Sequence, residues 1–124
     1  MDFSKYSNKA KEVISNAQGL ALSKGHQNFI PEHVLKSMLE DSDNYTSNLI
    51  ISASGNLDVV KGGLAETLAK IPSVSSSGSP NVYFSQEMAI LDQSVKRVSK
   101  VLGDEFITLE AFLLAMFWNY LLDK

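Results

Sequence analysis

Cysteine is absent from this sequence of 124 residues, which excludes disulfide bonds and thiol chemistry. Basic residues are in the minority: 14 Asp and Glu outnumber 11 Lys and Arg, and the formal net charge is -3. The Lys and Arg are spread along the chain, whereas a protein that neutralises a row of phosphates needs a basic stripe. We therefore do not expect nucleic acid as a partner.

Long hydrophobic runs are also lacking. The longest apolar stretch covers residues 111–118 and is much shorter than the roughly 20 residues of a membrane-spanning helix, so we expect no membrane association. Residues 1–5 lack the basic region and apolar core of a signal peptide. These features predict a cytoplasmic protein.

Motifs for catalysis and nucleotide binding are missing too. The sequence contains neither a G-x-x-x-x-G-K-S/T phosphate loop nor a G-x-S-x-G nucleophile turn, and Gly62 and Gly63 lie inside a helical pattern. His26 and His33 lie on either side of a predicted helix end, so a shared metal would need a favourable loop and help from Glu32. We interpret them as a capping and a helix-packing histidine. The sequence thus predicts a non-enzyme without catalytic residues, metal or cofactor.

The sequence instead contains an internal repeat with a spacing of 78 residues. Ser7 and Ser85 are typical N-caps, and each is followed by an apolar stripe at helical spacing that ends at Gly25 or Gly103. The matched apolar pairs are Ala10 with Met88, Val13 with Leu91, Ala17 with Val95, and Leu20 with Val98. Any two amphipathic helices share an apolar stripe, but not a glycine and then a glutamate (Glu32 and Glu110) at fixed offsets beyond it. We conclude that the chain is a tandem repeat.

The helical patterns cover most of the sequence. They predict helices from Ser7 to Gly25, from Pro31, from about Thr46 to Gly55, from Asn56 or Asp58 to Pro72, from Ser85 to Leu102, and from Thr108 to about Leu122. We expect the fourth helix to bury Val59, Val60, Leu64 and Leu68. Because no segment alternates long enough to form a half-buried strand, the predicted fold is all-α, with two packed helical bundles.

The repeat carries a family resemblance. The run from Gly25 to Leu35 (GHQNFIPEHVL) and its partner from Gly103 to Ala115 (GDEFITLEAFLLA) resemble the double Clp N-terminal repeat of the Clp AAA+ chaperones. Within that family, the link at 71–85 and the segment 103–107 are more similar to the ClpB-type disaggregases than to ClpA and ClpC. The resemblance implies one Clp N-terminal domain over 1–124. Its repeat one covers about 3–71, its linker 72–82 and its repeat two about 83–124.

The resemblance also implies a function. It indicates a mobile N-terminal domain on a hexameric AAA+ unfoldase, which captures exposed apolar segments of unfolded or aggregated proteins. Its partners would be these clients and the parent hexamer. The family's substrate-binding positions fall on Ser7, Asp104 and Glu110, although a solvated turn and a favourable helix dipole also explain the two acids. Tyr83 and Phe84 precede the N-cap and would either pack as a hydrophobic staple or line a peptide groove.

Departures from the family pattern leave alternatives open. Ile30 stands where the family has threonine, and 118–124 does not resemble the further helical pair of the family, so we expect a truncated second repeat. One alternative is an adaptor-docking domain of the ClpA/ClpC type, which binds one dedicated partner. The other is a stand-alone module that dimerises through 111–122.

Overall fold

The computed structural model describes residues 2–74 and 82–122, so part of the predicted linker lies outside the described residues. Within these ranges the chain forms six α-helices and two short strands. The helices are α1 (Asn8–Ser23), α2 (Pro31–Glu40), α3 (Tyr45–Ser52), α4 (Leu57–Ala69), α5 (Gln86–Leu102) and α6 (Leu109–Leu122); the strands are β1 (Asn28–Phe29) and β2 (Tyr83–Phe84). The predicted all-α class is confirmed. None of the helices in the described part is long and apolar enough to cross a membrane.

The matched signals of the repeat set the ends of α1 and α5. The Ser7 hydroxyl accepts a hydrogen bond from the N–H of Ala10, and the Ser85 hydroxyl accepts one from Met88, each at 3.1 Å. The glycines that follow the helices, Gly25 and Gly103, have φ of 70° and 75°. Since this left-handed conformation is strained for residues with a Cβ, glycine is the residue expected there.

The two halves share one hydrophobic core. α1 packs against α2 and α5 against α6, and the buried side chains of all four helices form a single cluster. Its largest fully buried members are Tyr6, Phe29, Phe112, Met38, Met88 and Leu91. A smaller cluster joins α2 to α4 through Leu39, Leu64 and Leu68.

The expectation for α4 is wrong at Val59, which is 67% exposed. Val60, Leu64 and Leu68 lie four residues apart and share the face that packs on α2, whereas Val59 is turned from that face by about 100°. The helical pattern predicted both valines to be buried and could not distinguish them.

The halves are interlocked by two short backbone pairings that the sequence did not predict. Before α1, Tyr6 forms a parallel bridge with Ile107, and the Ser7 N–H donates to the Ile107 carbonyl at 2.8 Å. Before α5, Phe84 pairs in parallel with Phe29, whose carbonyl accepts from Ser85 at 3.1 Å. The second pairing is the first shifted by 78 residues, with the roles of the halves exchanged. Each half therefore completes the backbone hydrogen bonding of the other.

Candidate functional site

Ser7 lies at the first pairing. Its hydroxyl caps α1, and its N–H is bonded to Ile107, which lies between Asp104 and Glu110 in the sequence. The structure therefore brings the start of α1 next to the segment that carries both predicted acids. The hydroxyl still has a hydrogen to donate, because the cap uses it only as an acceptor.

Asp104 and Glu110 flank this pairing on the second half. Asp104 is exposed in the turn after α5, and its N–H donates to the Ser99 carbonyl at 3.2 Å. Glu110 lies half-buried in the first turn of α6 and accepts a hydrogen bond from the Tyr45 hydroxyl at 3.1 Å. Burial raises the pKa of Tyr45, and the nearby charges of Glu110 and Asp104 raise it further. Tyr45 of α3 is thus a neighbour of the acids that sequence reasoning missed, since no local pattern links α3 to α6.

Tyr83 and Phe84 lie at the second pairing. Their backbones are held by β1, but their side chains remain 62% and 42% exposed. The Phe84 ring contacts Phe29 edge-to-face, with ring centroids 5.4 Å apart, and lies 6.3 Å from Phe3. Phe84 therefore packs on the junction and still presents part of its ring to solvent, so the geometry permits both interpretations of this pair.

Phe3 connects the two pairing sites. Its ring centroid lies 5.3 Å from that of Tyr6, which in turn lies 5.4 Å from Phe112 in the core. We call the exposed or half-buried side chains that flank the two pairings the junction surface; its members are Tyr83, Phe84, Asp104, Phe106 and Glu110. Phe106 is 48% exposed and precedes the bridging Ile107. The junction surface thus combines large apolar rings with two acids.

A buried network of polar side chains joins the segment before α1 to α5. The Tyr6 hydroxyl donates to Asp92 of α5, and the Lys96 ammonium donates to the other Asp92 oxygen at 3.0 Å. Burial raises the pKa of Tyr6 above its ordinary value, and the bonded Asp92 acts in the same direction. The hydroxyl is therefore a permanent donor that ties the start of the first half to the second. In the sequence, this network could have been found from Asp92, an acid that interrupts the apolar stripe of α5.

The two histidines contact each other. His26 Nδ1 lies 2.8 Å from His33 Nε2, and both side chains are buried. A metal between two nitrogens would hold each at about 2.0–2.1 Å and could not fit within a hydrogen bond of this length. Among the described residues, no group of three or more His, Cys, Asp or Glu converges on a potential metal position. The absence of metal, cofactor and catalysis stays a prediction.

Two cavities occur among the described residues. One is lined by residues of α1 and α2, the other by residues of α2 and α4 and the segments that follow α1 and α4. Neither is lined by Ser7, Tyr83, Phe84, Asp104 or Glu110. The predicted site residues therefore lie outside these two cavities.

Comparison with known proteins defines the class of this domain. The sequence matches the Clp repeat (R) N-terminal domain family over residues 5–120, and the chain belongs to that family. The chaperone protein ClpB of Rhizobium meliloti is 42% identical over 116 residues. These residues are 94% of this chain and 13% of the relative, so the chain spans about an eighth of its length. The resemblance to the ClpB type is thus confirmed.

Solved structures share the fold. The N-terminal domain of Hsp104 from Candida albicans has a TM-score of 0.78 at 20% identity, covering 90% of this chain and 73% of that one. The ClpV N-domain in a complex with a VipB peptide has a TM-score of 0.73 at 22% identity, covering 91% and 68%. At such identities the likeness establishes the helical fold and no more.

Proposed function

We propose that this chain is the substrate-binding N-terminal domain of a ClpB-type disaggregase. It captures exposed apolar segments of unfolded or aggregated proteins and passes them to a hexameric AAA+ ring. The observation that supports this proposal best is the junction surface: three exposed aromatic rings and two acids, in a domain whose relatives are ClpB chaperones. The cytoplasmic location remains a prediction.

The aromatic rings supply affinity. Apolar surface removed from water contributes about 25 cal/mol per Å², and Tyr83, Phe84 and Phe106 have area left to bury against a client. Because such contacts are non-directional, many apolar sequences can make them. Binding of this kind is tolerant of sequence and weak, with a dissociation constant on the order of micromolar or above.

The acids supply a preference among apolar segments. Asp104 is exposed, and Glu110 is held by Tyr45, so both carboxylates can attract the lysines and arginines of a client. The backbone pairings fix the segments that carry the rings and the acids, which limits the entropy lost on binding. The preferred client is therefore an apolar segment that also carries basic residues.

Binding of labelled peptides tests the proposal. By fluorescence anisotropy, a peptide of leucines and lysines should bind more tightly than the same peptide with glutamates in place of the lysines. Asp104→Ala combined with Glu110→Ala should weaken binding of the basic peptide about fivefold, because each partly exposed charge pair contributes roughly 0.5 kcal/mol. Helical content by circular dichroism should be unchanged.

The matched control changes two acids elsewhere. Asp58→Ala with Glu66→Ala removes the same charge from exposed positions of α4 and should leave the dissociation constant of the basic peptide unaltered. An equal loss in the two double variants would mean that net charge, and not the junction surface, attracts the client.

A second candidate function is docking of one dedicated partner segment. The structure of the ClpV N-domain with a VipB peptide favours it, since a related fold there binds a particular peptide. Docking of this kind predicts that scrambling the partner peptide abolishes binding. Client capture predicts that scrambled peptides of the same composition bind equally well.

A further inference from the structure

A second candidate site lies between α2 and α4 and is lined by none of the side chains of the junction surface. It is a cavity of about 330 Å³, near the lower end of the roughly 300–1,000 Å³ typical of ligand sites. One wall is apolar and consists of Ala65, Leu68, Ala69 and Ile71. Lys24, Lys36 and His26 also line the cavity, and none of its described lining residues is acidic.

A chain of hydrogen bonds fixes the protonation of His26. The Ile30 N–H donates to His33 Nδ1 at 3.1 Å, so the proton of the neutral His33 ring is on Nε2. That Nε2–H donates to His26 Nδ1, 2.8 Å away, which leaves the proton of His26 on its own Nε2. Burial lowers the pKa of both rings and keeps the pair neutral. The His26 Nε2–H is therefore a fixed hydrogen-bond donor.

This donor has no partner among the described residues. The His26 side chain is 5% exposed and lines the cavity, while its Nδ1 is already bonded to His33 on the core side. Nε2, across the ring from that bond, is the polar atom left for a ligand. The Ser73 hydroxyl also lines the cavity, but it donates to the Lys24 carbonyl at 2.9 Å and so does not offer its hydrogen to a ligand.

The charges around the donor are positive. Lys24 and Lys36 both line the cavity, and Lys36 is only loosely paired with Glu40 of the same helix, at 3.7 Å. An anion here would meet two ammonium groups and a neutral N–H, and charge-assisted hydrogen bonds of this type are among the stronger ones in proteins. A bare anion, however, would leave the apolar wall unused.

We propose that this cavity binds the free C-terminal carboxylate of a peptide that ends in an apolar residue. The carboxylate lies between Lys24, Lys36 and the His26 Nε2–H, and the last side chain packs on Leu68 and Ile71. A chain terminus supplies an anion and an apolar group next to each other, and the cavity is lined by basic and by apolar side chains. This site shares no lining residue with the junction surface and does not depend on the function proposed there.

Calorimetric titration of the full chain tests the proposal with acetyl-Ala-Ala-Leu as the probe. The peptide with a free carboxylate should bind in the micromolar to millimolar range, and its C-terminal amide should bind at least about tenfold more weakly, since a charge-assisted contact is lost. Lys24→Gln combined with Lys36→Gln should weaken binding of the peptide with the free carboxylate to a similar degree. Lys11→Gln with Lys61→Gln, which removes the same charge from exposed positions outside the cavity, should not.

Further measurements distinguish a peptide terminus from other anions. Equal binding of the acid and the amide, or equal losses in the two double variants, would overturn the proposal. Equally tight binding of 4-methylpentanoate or of inorganic phosphate would also overturn it, because the cavity would then recognise a small anion and not a peptide terminus. In ¹⁵N spectra of the histidine rings, the His26 Nε2–H should shift with the free peptide and not with the amide; an unmoved signal would contradict the assigned donor.

Discussion

His33 shows how a buried residue can make the stability of this domain depend on pH. Its ring is fully buried, accepts the Ile30 N–H at 3.1 Å and donates to His26, so both nitrogens are used by the neutral form. Burial lowers the pKa of His33 to about 4, with smaller contributions from the neighbouring His26 and Lys24 charges. The His33 pKa in the unfolded chain is the ordinary 6.5.

The first prediction follows from these two values. Between pH 6.5 and 4 the unfolded chain binds a proton at this site and the folded chain does not, so the free energy of unfolding decreases as the pH falls through this window. The stabilisation is complete above pH 6.5 and lost near pH 4. Urea unfolding should give a value about 2 kcal/mol lower at pH 5 than at pH 7, since each pKa unit corresponds to about 1.4 kcal/mol.

The control is His33→Gln, whose amide oxygen can still accept the Ile30 N–H but does not titrate. This variant should lose more than half of the difference between pH 5 and pH 7. If it retains the full difference, the pH dependence arises from other groups.

At the scale of single elements, the helix ends follow from local sequence. Serine N-caps and the left-handed glycines act through their own backbone neighbours, so a single sequence is enough to locate them. The same turn occurs twice, yet its surroundings differ. A Cβ on Gly25 would lie 2.6 Å from the Ser73 hydroxyl and 2.9 Å from the Val74 carbonyl, whereas a Cβ on Gly103 would meet no atom of the described residues within 4 Å.

The second prediction compares these two glycines. Gly103→Ala should lower the free energy of unfolding by about 1 kcal/mol, which is the strain of a left-handed alanine alone. Gly25→Ala should lower it by at least about 2 kcal/mol, because the backbone at Val74 must also move. Urea denaturation of both variants measures the difference. Equal losses would show that the contact with residues 73–74 has no energetic role.

Other features of the elements depend on tertiary contacts and could not be predicted. The pairing of Phe29 with Phe84 involves two residues on each strand, which is too short for any periodic pattern. The exposure of Val59 depended on where α4 meets α2, and the Tyr45–Glu110 bond joins residues 65 positions apart. Ser7, Asp104 and Glu110 came from the family resemblance, and Tyr83 and Phe84 from their position before the N-cap Ser85; the role of all five in binding stays a prediction.

At the scale of the whole molecule, the reciprocal pairings make the two halves one folding unit. Tyr6 and Ser7 of the first half bond to Ile107, and the segment before α5 bonds to Phe29. The buried bond between Tyr6 and Asp92 connects the halves again. Neither half alone can satisfy these groups or bury its part of the common core.

The third prediction concerns the two halves as separate fragments. Fragments 1–74 and 82–124 should each have little helical structure by circular dichroism, because each lacks the partner segments and half of the core. Mixed in equal amounts, they should regain helicity and elute together as a one-to-one complex. A fragment 1–74 that unfolds cooperatively by itself at the melting temperature of the whole chain would show that the interlock is not needed.

The most direct test of the central claim, that the junction surface captures clients, is a titration of the ¹⁵N-labelled chain with the leucine–lysine peptide, followed by amide spectra. We expect the chemical-shift changes to cluster at Ser7, Tyr83, Phe84 and residues 104–110, with little change along α4. Changes confined to α3 and α4, or no changes at millimolar peptide, would contradict the account.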